Sequence, residues 1–148
     1  MRDIFYEELR RNSAEAMQLT AKQMDKVINA VKNVLRFHTL ARKEGLLWLD
    51  TELGTLDMET EDKYFSELLM LVIDGIEPDL IKEYGLSRYF AANLAGYEGI
   101  IYLIYFKGSL MIYEGADPVI VELILGAMLP ENVRKLYTER KSTEAVSD

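Results

Sequence analysis

Ile73-Asp74-Gly75-Ile76-Glu77-Pro78 returns forty residues later as Tyr113-Glu114-Gly115-Ala116-Asp117-Pro118. Each copy follows an apolar run, at 68–72 and at 110–112. Each precedes another, Leu80-Ile81 and Val119-Ile120-Val121. The residue chemistry reads both copies as helix, tight turn, helix. Glycine ends a helix in the left-handed conformation at little steric cost. The acidic residue caps the next helix, and proline suits its first position, where a missing N–H is no loss. Asp117 is the better cap of the two, because Asp is preferred over Glu at that position.

Upstream of these hairpins, Met17, Met24, Val31, His38 and Gly45 recur every seven residues. Thr20, Val27, Val34 and Ala41 follow three later, and Ala21, Ile28 and Leu35 four later. That spacing lays a wide apolar stripe along one helix. No proline interrupts it, so the pattern predicts one long amphipathic helix over 13–53. Ser13 is its candidate cap, without a capping box, because Ala16 stands where a Glu or Gln would reciprocate. A straight helix of this length would span about 60 Å. Part of it must then project, bend or pair with another chain.

Residues 1–11 read as a short amphipathic helix anchored by Ile4, Phe5 and Leu9, and 54–57 as a turn. Further helices are expected at about 61–74, 78–83 (stopped by Gly85), 87–93, 94–113, 118–128 and 130–140. The predicted fold is an all-α helical bundle. One domain covers 1–140, with the long helix at 13–53 and the remaining helices at 54–140, and 141–148 forms a flexible polar tail. The most strand-prone stretch is 100–105.

A chain of 148 residues, 49% hydrophobic, suits one domain with a real core. There is no cysteine, which removes disulfides, thiolate nucleophiles and sulfur metal ligands. The first residues show no signal-peptide apolar core, so the cytoplasm is the expected location. A net charge of −8 argues against nucleic acid as a partner. The charge is uneven. Residues 1–43 hold nine Lys/Arg against five Asp/Glu, giving +4, and 44–148 hold eight against twenty, giving −12. This is either ordinary surface charge or a basic arm that docks on an acidic body, its own or a neighbour's. The stripe and the charge together predict a homodimer built on that arm.

His38, the only histidine, sits on the apolar seam and reads as a core or interface residue; no HExxH-type spacing accompanies it. Glu98, Glu114 and Glu122 lie on different segments, with nothing in sequence to gather them for acid–base or metal chemistry. Gly96, Gly99, Gly108 and Gly115 make no phosphate loop. No catalytic, cofactor-binding or metal-binding residue is therefore assigned, and no cofactor is expected. Gly45 and Gly108 fall inside apolar helical patterns, where glycine costs about 1 kcal/mol relative to alanine. Close helix approach is the expected reason.

Four segments in order carry a family resemblance. They are Ala41-Arg42-Lys43-Glu44-Gly45-Leu46-Leu47-Trp48-Leu49-Asp50, Leu71-Val72-Ile73-Asp74-Gly75, Lys107-Gly108-Ser109-Leu110-Met111-Ile112-Tyr113-Glu114-Gly115-Ala116-Asp117-Pro118, and Leu129-Pro130-Glu131-Asn132-Val133-Arg134. Their order and spacing resemble the cytoplasmic part of the MotA family, the ion-channel subunit of the bacterial flagellar stator, over roughly residues 40–134. The departure is as informative. MotA-like proteins carry four membrane-spanning helices, and a span needs about 20 mostly apolar residues. The longest apolar run here is 100–106. Where a membrane hairpin would intervene, only 86–98 stands, with Arg88, Asn93 and Glu98 in it. The resemblance therefore implies the cytoplasmic helices without the channel.

It also implies a contact. In MotA-like stators, the basic and acidic residues around the glycine of this motif meet the rotor's switch protein through complementary charge. Arg42 and Asp50 stand at those positions, about 80° apart if both lie on one helix. The competing reading is a solvated charged face, crowded by Lys43 and Glu44. Trp48, the only tryptophan, is either core packing or an exposed aromatic anchor. The resulting expectation is a non-enzymatic cytoplasmic interaction module with Arg42, Asp50 and Trp48 as partner-binding residues. Its partner would be a flagellar rotor switch protein or stator component, with no nucleic acid and no membrane insertion. The alternative is a self-associating helical scaffold of unrelated cellular role.

Overall fold

Both copies of the repeated phrase take the same conformation in the computed structural model, which describes residues 2–147. Gly75 and Gly115 adopt φ of +71° and +66°. The N–H groups of Ile76 and Ala116 reach back to the carbonyls of Leu71 and Met111, each at 3.1 Å. This six-to-one closure satisfies carbonyls that the helix end leaves free. Pro78 and Pro118 open the following helices. The Asp117 carboxylate accepts from the Val119 N–H at 2.9 Å, whereas Glu77 makes no side-chain cap. The difference expected between Asp and Glu is present.

Eight α-helices lie among the described residues: α1 (Arg2–Glu15), α2 (Ala21–Glu44), the single turn α3 (Leu49–Glu52), α4 (Asp62–Ile73), α5 (Pro78–Ala91), α6 (Gly96–Glu114), α7 (Pro118–Ala127) and α8 (Glu131–Ser147). No strand occurs among those residues, and the all-α expectation holds. The strand-prone 100–105 is the middle of α6. From Gly99 to Ile112, every α6 residue except Lys107 is buried. A helix apolar on all sides must be enclosed on all sides. Here α1, α2, α4, α5 and α7 surround it. No described helix is long and apolar enough to cross a membrane.

The long helix expected over 13–53 is instead three pieces. α1 runs through Ser13 to Glu15, so Ser13 is no cap. The chain breaks at 16–20, and α2 starts from Thr20, whose hydroxyl accepts from the Gln23 N–H while the Gln23 side chain accepts from the Thr20 N–H. This capping box is the signal that the heptad count overrode. Turning the chain here lets α1 lie antiparallel on α6. The Phe5 and Phe106 rings stack 6.0 Å apart, Asn12 lies flat against Gly99, and the Gly96 N–H donates to Glu15 at 3.1 Å. Of the expected α1 anchors, Phe5 is buried and Leu9 partly so, but Ile4 is exposed. Met1, the first residue of that expected helix, lies outside the described residues.

α2 runs parallel to α6, and the stripe read as a docking arm is filled from within the chain. Val27, Ile28, Ala30, Val31, Val34, Phe37 and His38 are all buried. The closest approach is at Gly108, where a Cβ would meet Val34 at 2.6 Å. Close packing therefore explains Gly108. It does not explain Gly45, where φ of +95° ends α2. Among the described residues, the 27–38 part of the stripe is therefore not a free docking arm. Of the basic residues on α2, Lys32 pairs with Glu144 at 3.9 Å, and Arg36 pairs with Glu52.

Two further boundaries differ. α5 passes through Gly85, which was expected to stop it, and joins 78–83 to the first part of 87–93, ending at Ala91. A Cβ at Gly85 would meet the Phe106 ring at 2.2 Å; this glycine makes room rather than a turn. α8 continues past Arg140 to Ser147, into the segment read as a flexible tail. Lys141 pairs there with Glu122. Asp148 lies outside the described residues.

Candidate partner-binding surface

Beyond Gly45, residues Leu46–Trp48 form one 3-10 turn leading into α3. At three residues per turn, positions three apart eclipse each other. Leu46 and Leu49 accordingly face inward, Leu49 fully buried and Leu46 packed partly buried on the core. Leu47 and Trp48 are forced outward, 78% and 55% exposed. Core packing, one of the two readings of Trp48, is thereby corrected. Leu47 was not singled out from sequence. The signal that would have found it is the helix-ending glycine followed by an inward pair at i and i+3.

Arg42 and Asp50 are both exposed, but they do not share a helix, because Gly45 separates α2 from α3. No ion pair joins them. Arg42 belongs partly to the fold: its Nη1 donates to the carbonyls of Gly115 at 3.0 Å and Ala116 at 3.2 Å. Those carbonyls stand at the C-terminal end of α6, where the helix dipole favours a cation. Asp50 has no hydrogen-bond or ion-pair partner among the described residues. It lies in the first turn of α3.

His38 shares the same anchor. It is buried, and its Nε2 lies 2.6 Å from the Ala116 carbonyl. A neutral ring with the proton on Nε2 donates that bond. Burial is the largest influence on the imidazole and lowers its pKa; the Ala116 carbonyl opposes this, Arg42 adds to the lowering and Asp117 opposes it. His38 and Arg42 thus pin the end of α2 to the turn between α6 and α7.

The three carboxylates weighed from sequence stay apart. Glu122 is held by Lys141 and by the Tyr137 hydroxyl, Glu114 is exposed and Glu98 is half-buried on α6. No three His, Cys, Asp or Glu side chains converge to hold a metal among the described residues. No family model, curated protein or solved structure matches the chain.

Proposed function

We propose that the chain is a protein-interaction module related to the cytoplasmic part of MotA-type stator subunits, acting in the cytoplasm and catalysing no reaction. Leu47 and Trp48 are its apolar anchor, and Arg42 and Asp50 are charges at its rim. The observation that carries this reading is the exposure of Trp48 beside Leu47 on a turn whose other two leucines face inward, Leu49 buried and Leu46 partly so. Interface energy concentrates in such aromatic anchors, while rim charges act mainly on association rate. The resemblance supplies the candidate partner, the flagellar rotor switch protein.

The test uses that purified protein. Trp48→Ala should weaken its binding at least about tenfold, the scale of an interface hot spot, with thermal unfolding unchanged. Asp50→Lys should slow association most at low salt and also leave stability unchanged, because an exposed charge without a partner contributes little to folding. Arg42→Glu should lower both stability and binding, since it also loses two bonds to the end of α6. Charge reversal on the partner should rescue Asp50→Lys. Binding that ignores Trp48→Ala, or no binding at all, would sink the proposal.

A further inference from the structure

α7 buries Val121 and Leu125 on one side and leaves apolar side chains exposed on the other. Val119 and Leu123 are 66% and 64% exposed. With Gly126 they occupy positions i, i+4 and i+7, on one face. Together with Arg134, Tyr137 and Lys141 of α8 they line an open groove of about 510 Å³. Gly126 has no packing reason among the described residues. A Cβ there would meet nothing within 4 Å, its φ is not positive, and glycine weakens a helix relative to alanine. Gly85, Gly99 and Gly108 each have a neighbour pressed against them; Gly126 has an empty place.

We propose that this face binds a second copy of the chain, with α7 antiparallel to α7 about a two-fold axis near Leu123. The residue order is self-complementary in that arrangement. Leu123 meets its own equivalent, and Val119 of each copy fills the space over Gly126 of the other. The charges agree. Glu122 and Lys141 neutralise each other. Of the charged groups on α7, at its cap and along the groove, Asp117 at the start of α7 and Arg134 beside its end have no ion-pair partner among the described residues. An antiparallel pair brings each Asp117 toward the other copy's Arg134. A two-fold contact uses one patch twice, as this one requires. α7 is only about 15 Å long, short for an interface of about 800 Å² per partner. The dimer should therefore form in the range of tens to hundreds of micromolar. This surface is separate from the Trp48 turn, and its test does not depend on that partner.

Sedimentation equilibrium of the full chain from ~5 to ~500 μM should show a reversible monomer–dimer transition. Leu123→Asp and Gly126→Leu should each weaken it at least about tenfold. Gly126→Ala separates this from a folding effect, because it should raise the unfolding temperature while weakening the dimer. The chain has no cysteine, so mild oxidation of Leu123→Cys should give a disulfide-linked dimer, and Val119→Cys, which faces Gly126, should link far less. A monomer throughout the concentration range overturns the proposal and leaves the face to a different protein. So does a dimer that survives Gly126→Leu, or cross-linking that favours Val119→Cys.

Discussion

α6 and α7 are the two most apolar helices of the molecule, joined by the single turn at Gly115, and they have opposite fates. α6 is enclosed on every side. α7 buries Val121 and Leu125 and leaves Val119, Ile120 and Leu123 in the open. Apolar composition alone does not say which helix becomes the axis of a bundle. Neighbours do: five helices pack around α6, while α7 lies at the edge with α2, α6 and α8 beside it and Val119, Ile120 and Leu123 exposed on its outer face.

The contrast should be largest for truncation. Ile104→Ala, in the enclosed helix, should cost about 2–5 kcal/mol, because it empties a space the surrounding helices cannot close. Leu123→Ala should stay within about 0.5 kcal/mol, as surface substitutions do. Urea unfolding, read as a shift in midpoint at constant slope, measures both. Similar costs at the two positions would break the comparison.

Glycines should sharpen it by changing sign. Gly108→Ala drives a Cβ into Val34 at 2.6 Å and should cost about 1–3 kcal/mol by overpacking. Gly126→Ala meets nothing and should stabilise the monomer by up to about 1 kcal/mol. The same urea series decides both signs.

The caps come next. Asp117→Ala removes the bond to Val119 and should cost about 1 kcal/mol. Glu77→Ala, in the other copy of the phrase, removes no cap and should be nearly neutral. Equal losses would mean that the phrase rather than the bond stabilises the turn.

The smallest effect belongs to His38, which pins the joint between the two helices. Its folded pKa lies below the ordinary value near 6.5, so the unfolded chain binds a proton that the folded chain resists. The stability due to the neutral ring is fully present above about pH 6.5 and fades as pH falls below it. Unfolding temperature should drop between about pH 7.5 and 5.5, and His38→Gln should flatten that drop. An unchanged pH profile in His38→Gln would mean that the drop arises from groups other than His38.

Much of the architecture was legible in the residues. The two Gly-x-acid-Pro turns, the apolar helix α6 that ends at the second of them and the better cap at Asp117 all follow from local chemistry that tertiary packing had no reason to oppose. The misjudged boundaries have particular causes. Gly85 and Gly45 look alike in sequence, yet one accommodates a phenylalanine from α6 and the other turns the chain. The heptad spacing through Met17 and Thr20 hid the Thr20–Gln23 cap, because periodicity counts apolar positions and does not register a local bond. Arg42, Asp50 and Trp48 were visible as a cluster, but Leu47 was not, since a 3-10 turn changes the period from 3.6 to three.

The sequence by itself determined that this chain is helical, where its two hairpins turn, and that α6 needs a dry environment. Those properties arise from backbone preferences and the hydrophobic effect within a few residues of each position. Only the tertiary structure decided that the stripe on α2 is spent on α6, that Arg42 is tied to the end of another helix, and that α7 has an open face. Each of these depends on which surfaces meet, and an apolar residue has the same sequence signature whether its neighbour comes from its own chain, from another chain, or not at all.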